Sequence, residues 1–587
     1  MAARRVLLLL LAAAAAGAQL QLPWTTDVGN TTFGPDGPWQ AVLVKLNGAG
    51  SQMQEVPLWP GGSDVSEIPT ADNGGAYVIP SSAFVTGSRA AADKWFSPDF
   101  TKSQGAGFEY RDGMELEQRF LGGSGDGGGN SGITVNATFI AATIWTSSAP
   151  PLDGTDYKPP VGILGLASQS NWSGLVTPPS ILEQLKASGD IDRNAFSVHV
   201  GSAALGLPGS LVLGGYDRNR ALGRVGTFAL ANGMPLVFLR DIVLGVEVGT
   251  STIDAAGAGN NGSFWDESVL VGEYYSRHAG GPPGSVVVVP NPASPYIYLP
   301  PGFCDAIATS LNMTRHDPTG LYLWERSAQA ELFVNSSSYL GFVLADQSAT
   351  NLTVKVPFAL LNLTLEPPLA ERPVSYFPCK SMPSRRGFWQ LGRAFLQAAL
   401  LAVDYEDEVA YMAQAPGPHL EQSVVGKMDG SAIATNPAES FARTWRDHWQ
   451  PVYMDHSSSD ANDKEKEEEE EEERLSAGGK AGIAVGGVAV ISLFFSGLWF
   501  WWRRRKRGKG QETSPTAGNQ TGSSSSGGSF MDHGAEQKMP RLDKAVELDP
   551  RTPPVERGAP IPHEMGSDSH TEPTRKVRHE VLSDSVV

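Results

Sequence analysis

"TPPSILEQLKASGDIDRNAFSVHVG", Thr177 to Gly201, followed by "GSLVLGGYDRNRALGRVGTF", Gly209 to Phe228, is the stretch that sets the fold class. Ser180 and Glu183 stand three apart at the head of an apolar stripe, Ile181, Leu182 and Leu185. Gly189 stops it, so one short capped helix is predicted. Around it the chain breaks into apolar runs of strand length separated by Gly and Pro. Examples are "WQAVLVKL" (Trp39 to Leu46), "GITVNATFIAATI" (Gly132 to Ile144) and "VKVPFALLNLTL" (Val354 to Leu365). A second helix is expected to begin after "LPPGFCDAIATSL", Leu299 to Leu311. The Gly-rich piece Leu121 to Gly132 lacks the Lys-Ser/Thr of a phosphate loop and reads as a hairpin tip.

Working outward, the chain divides into two similar halves. The first has "VPLWPGGS" and later "GILGLA", Gly162 to Ala167; the second has "VVVPNPAS", Val287 to Ser294, and later "FWQLGRA", Phe388 to Ala394. Each half pairs a buried strand ending in a small-residue loop with a later run of two apolar residues and a Gly, Gly165 or Gly392. Two β lobes, 19–230 and 231–415, are therefore expected to meet at a cleft.

The ends of the 587-residue chain are of other kinds. Residues 1–18 carry Arg4 and Arg5, a Leu/Ala run and small residues, the pattern of a cleaved secretory signal. Ala481 to Trp502 is apolar for long enough to cross a bilayer, ends in tryptophans and is followed by "RRRKRGK". A single span is predicted at the plasma membrane, with the N-terminal part outside and 503–587 a disordered cytoplasmic tail. Eight sequons precede the span, at Asn30, Asn136, Asn171, Asn261, Asn312, Asn335, Asn351 and Asn362. A ninth, Asn519, lies in the tail and should be unmodified. The chain turns polar after Ala415, and 416–480 reads as a linker whose acid block, Glu467 to Glu473, forms an extended stalk. A net charge of −18 with this topology disfavours nucleic acid; the bilayer is one partner, and the tail's cytoplasmic partner is unknown. The only cysteines, Cys304 and Cys379, predict one disulfide in an oxidising compartment. No cofactor and no metal are expected.

Across roughly Pro38 to Ala413 the chain resembles the pepsin family of aspartic proteases, and most of all its membrane-anchored members in filamentous fungi. The stretch from Val161 through Phe228 runs colinearly with that family's first-lobe closing strand, helix and following strands, and Phe388 to Ala415 is similar to the closing strands of its second lobe. The resemblance implies a bilobal, mainly antiparallel β fold with a peptide-sized cleft. It places Tyr110, in "FEYRDG", on the flap tyrosine, and matches Cys304 and Cys379 to the second lobe's disulfide.

The resemblance also implies one catalytic Asp per lobe, the pair sharing a proton so that one acts as base and the other as acid. In this sequence Trp59 and Pro60 stand on the first Asp-Thr, and Asn291 and Pro292 on the second. Asn keeps the shape of a carboxylate without its basicity, and an indole ring displaces the catalytic water. Asp64, Glu67 and Asp112 read as solvated loop acids, and His199, His278 and His316 as surface-loop histidines; neither set forms a recognised catalytic spacing. The expected protein is a surface glycoprotein whose inactive ectodomain binds an extended peptide or cell-wall ligand or acts as a sensor. The alternative is an active endopeptidase using a displaced acid.

Overall fold

The computed structural model describes residues 19–450, apart from 29–30, 48–52, 81–83, 92–104, 118–131, 146–157, 169–178, 250–261, 266–280, 347–349 and 383–387. The signal, the Gly-rich piece from 121, the apolar stretch 481–502 and the tail lie outside the described residues. Among the described residues no helix is long and apolar enough to cross a membrane.

In the first lobe an eight-stranded sheet includes β1 (Ala41–Asn47), β2 (Met53–Gly61), β3 (Ser66–Pro69), β4 (Gly105–Leu116), β5 (Ile133–Trp145) and β6 (Gly162–Gly165), with Trp24–Thr25 and Phe84–Ala91 at its edges. Between those edges the order is β1-β2-β6-β3-β5-β4. The late strand β6 enters between two early ones, parallel to β2 with Ile163 beside Trp59, and antiparallel to β3 with Ile163 beside Glu67. Helix α1 (Ile181–Ser188) has the capping box of Ser180 and Glu183, and Gly189 closes it at φ 83°, a left-handed conformation that suits Gly. There follow β7 (Ala195–His199), β8 (Ser210–Leu213), β9 (Gly215–Asp217) and β10 (Leu222–Ala231).

The second lobe repeats the device. It contains β11 (Val237–Val246), β12 (Val286–Pro290), β13 (Ile297–Leu299), α2 (Phe303–Ser310), β14 (Ser338–Ala345), β15 (Asn351–Pro357), β16 (Cys379–Ser381) and β17 (Trp389–Leu391). Here β17 enters between β12 and β13, parallel to the first and antiparallel to the second. The repeat read from the sequence is thus a repeat of strand topology. Helix α2 begins at Phe303, inside the stretch after which it was expected, because Pro300 and Pro301 already set its entry. Cys304 on α2 is bonded to Cys379 on β16, tying that helix to its sheet.

A third sheet joins the lobes. After the short helix α3 (Arg393–Leu396), strands β18 (Ala399–Asp404) and β19 (Val409–Gln414) pair with first-lobe strands, β18 with β7 and β19 with β10. Every residue of β18 and β19 is buried, which explains why these strands read as continuous apolar runs rather than alternating ones.

Residues 416–450 correct the linker expectation. Strand β20 (Val425–Lys427) pairs antiparallel with β9, and helix α4 (Phe441–Thr444) leads to Trp445, which is 1% exposed and stacked on Trp449. The Asn436 amide donates to Ala221 O at 2.9 Å in the first lobe, and the Gln450 amide to Asn335 O at 2.8 Å in the second. The segment is a strap across both lobes. Its anchors, Met428, Ile433, Phe441 and Trp445, are buried but far apart in sequence, so mean hydropathy is low where burial is high.

Candidate functional site

The site lies at the ends of the two duplicated strands. Trp59, on β2, is 8% exposed, and its Nε1 donates to Gln40 O at 3.1 Å. Gln40 is fixed in turn: its Nε2 donates to Leu207 O at 2.6 Å and its Oε1 accepts from the Gly209 amide at 3.0 Å. Asn291 follows β12 and is fully buried. Its amide donates to Leu391 O at 3.0 Å, and its Oδ1 accepts from the Ala293 amide at 3.0 Å, so the side chain closes its own turn. Gly165 and Gly392 serve the two loops alike. A Cβ on Gly165 would lie 2.6 Å from Val65 C, and one on Gly392 2.4 Å from both Ser294 O and Tyr296 O. Only glycine allows such approaches.

The residue after Gly392 changes the chemistry. Arg393, on α3, is 2% exposed and lies between the loops: Nη1 donates to Pro292 O at 3.2 Å and Ala293 O at 2.8 Å. Its guanidinium carbon sits 3.6 Å from the centre of the Trp59 ring and 4.9 Å from that of Trp39. Where the resemblance implies a shared proton between two acids, a cation is stacked on an indole. Desolvated cation–π contacts of this kind contribute about 2 kcal/mol. Burial pulls the Arg393 pKa down to about 10, with Asp36 acting in the opposite sense, so the group stays charged at neutral pH.

Asp36 is the one carboxylate among the groups that act most strongly on Arg393; the others are the phenols of Tyr296, Tyr298 and Tyr376. Both of its oxygens are engaged: Oδ1 accepts from Trp39 Nε1 at 3.1 Å, and Oδ2 from the Tyr296 hydroxyl at 2.8 Å. The Tyr376 hydroxyl donates to Asp36 O at 2.6 Å. Burial holds both phenols well above the usual tyrosine range, so they remain protonated donors. An arginine cannot accept a proton, Asn291 cannot act as a base, and a single carboxylate is not a dyad. The arrangement ties the lobes together through Asp36, Tyr296, Tyr376 and Arg393.

Sequence reading missed both charged members. Arg393 had a signal, as the one charge in the apolar run from Gly387 to Val403. Asp36 had none, since "PDGP" reads simply as a turn. Glu67 is not a solvated loop acid: it lies on β3 and is 2% exposed. Asp112 is half-buried on β4, accepting from Asn47 Nδ2 at 2.6 Å, and Asp64 is half-buried. Tyr110 lies mid-strand on β4, paired in register with Phe139 and stacked on it at 6.4 Å, within the core.

His199 is buried on β7 rather than in a surface loop. Arg220 Nη1 lies 3.1 Å from its Nδ1 and Gln397 O 2.9 Å from its Nε2, so Nε2 carries the hydrogen. Burial, then Arg220, push its pKa down to about 3. His316 is half-buried on a short strand and bonded to Thr319 Oγ1; His278 lies outside the described residues. Among the described residues no cluster of His, Cys, Asp or Glu is placed to hold a metal. Asn136, Asn312, Asn335 and Asn351 are exposed and Asn362 is half-buried; Asn30, Asn171 and Asn261 lie outside the described residues.

No family model matches the chain, and no curated protein does. Among solved structures, the aspartic proteinase from Irpex lacteus is similar over 68% of this chain and 98% of that one, at 15% identity and a TM-score of 0.43. The fold is mainly β and two-lobed, with the paired strand insertions β2-β6-β3 and β12-β17-β13 as its organising feature.

Proposed function

We propose that this chain is a single-pass surface glycoprotein at the plasma membrane whose pepsin-like ectodomain is catalytically silent and works by binding a ligand, an extended peptide or wall polymer. The observation that carries the inactive half of this reading is the Arg393 guanidinium stacked on Trp59 at 3.6 Å, where the family's chemistry needs an ionisable oxygen. The ligand half is supported by the two-lobed architecture and by the sequence order of signal, ectodomain, span and tail.

The test is hydrolysis of denatured protein by the purified ectodomain from pH 3 to 7, with and without pepstatin. No cleavage above the blank is expected. Pepstatin-sensitive cleavage that disappears in Asp36→Asn would replace this reading with an endopeptidase that uses a displaced acid.

A further inference from the structure

Behind the shared sheet lies an open cavity of about 340 Å³, within the range of small-ligand sites. Its walls come from four parts of the chain: β10 of the first lobe, β15 of the second, Gln414 at the end of β19, and the strap at Glu439, Ser440 and Phe441. Leu222, Leu352 and Phe441 contribute apolar lining, and Arg224, Gln414 and Glu439 contribute polar lining. The walls are held in place. Gln414 binds both the amide and the carbonyl of Lys355, closing the edge of β15, and Lys355 Nζ lies 5.8 Å from the Phe441 ring centre.

All three residues of one glycosylation sequon, Asn351-Leu352-Thr353, line this cavity, and Asn351 and Thr353 are exposed. Arg240 Nη1 lies 3.4 Å from Asn351 Oδ1, and Arg224 Nη1 donates to the Asn351 carbonyl. These contacts orient the residue through its oxygens and do not use Nδ2, the atom to which sugar is attached. The exposed sequons at Asn136, Asn312 and Asn335 have no part in the cavity.

We propose that the first sugars of an N-linked glycan on Asn351 lie in this groove and brace β10, β15 and the strap against one another. A pyranose ring has an apolar face and a polar rim, which fits a lining that mixes apolar residues with hydrogen-bonding ones. Covalent attachment at the wall gives the sugar a high effective concentration, so weak contacts suffice. Because the groove bridges both lobes and the strap, an occupant that bonds to all of them stabilises the assembled head over the opened one. The inference rests on the outward placement proposed above.

The experiment uses the full-length chain from a secretory eukaryotic host. It combines site-by-site glycan occupancy by mass spectrometry, the rate of native enzymatic deglycosylation at each site, and thermal melting of Asn351→Gln, Thr353→Ala, Asn136→Gln and Asn312→Gln. Thr353→Ala removes the acceptor while keeping the Asn351 contacts. The expected result is occupancy at Asn351 with sugar release at least about tenfold slower there than at Asn136 or Asn312. Both groove variants should melt roughly 2–4 °C lower, and the other two should be unchanged. Equal release rates, unchanged melting of Thr353→Ala, or an empty Asn351 beside occupied neighbours would overturn the groove seat and leave the outward placement standing. Empty sequons throughout would remove the outward placement and this proposal with it.

Discussion

At the scale of single residues, the contact that decides the centre of this protein is the Arg393 guanidinium against the Trp59 ring. Trp59 and Asn291 stand where the resemblance implies two acids, and the Arg393 guanidinium packs against the first of them. An aspartate at position 59 would face a guanidinium that now lies 3.6 Å from the indole centre, and the cation would hold it ionised. Two acids then could not share one proton. The double variant Trp59→Asp, Asn291→Asp is therefore expected to show no pepstatin-sensitive turnover of a fluorogenic peptide between pH 3 and 7. Measurable turnover would mean that Arg393 does not govern the site. Trp59 and Asn291 were picked out because the strands that lead into their loops resemble those of the family. The replacement cation was harder to see, because a lone Arg in an apolar run shows that it is buried without showing against what.

Among the elements, the strap of 416–450 was the least legible. It has one three-residue strand and one four-residue helix, and its polar composition resembles that of a linker. Its fixed points are tertiary. The buried Asp217 carboxylate accepts from the Val424 amide at 3.0 Å and the Ser423 hydroxyl at 2.6 Å, and Trp445 packs on Phe441 and Trp449. Trp445→Ala should cost roughly 3–5 kcal/mol of unfolding free energy, as for other buried large-to-small changes. Urea unfolding measures the loss, and limited proteolysis should cut first between 416 and 450. A variant as stable as the parent would show that the strap is not part of the cooperative unit. Helix α1, by contrast, was fully legible, because its capping box, apolar stripe and stop glycine are local signals.

For the whole molecule, one buried cluster runs through both lobes, and the shared sheet carries strands from each. His199 belongs to this sheet, and its pKa of about 3 ties stability to pH. The neutral ring is favoured in the folded state, so unfolding binds a proton once pH falls below the ordinary histidine value near 6.5. Its contribution is complete above about pH 6.5 and lost progressively towards pH 3, on the order of 5 kcal/mol in all. Chemical unfolding curves across that range should show His199→Asn losing less stability than the parent on acidification. Parallel slopes would assign the acid sensitivity to other groups.

The sequence by itself determined the duplication and the capped helix, which depend on residue types at short, repeated spacings, and the disulfide partners, because the chain has only two cysteines. Only the tertiary structure decided that Arg393 from one lobe stacks on Trp59 of the other, that Asp36 reaches Tyr296 across 260 positions of chain, and that the strap clasps both lobes. Those contacts join residues whose local sequence carries no trace of the partner. Burial and charge pairing are fixed by what the folded chain brings alongside, and a linear pattern does not encode that neighbour.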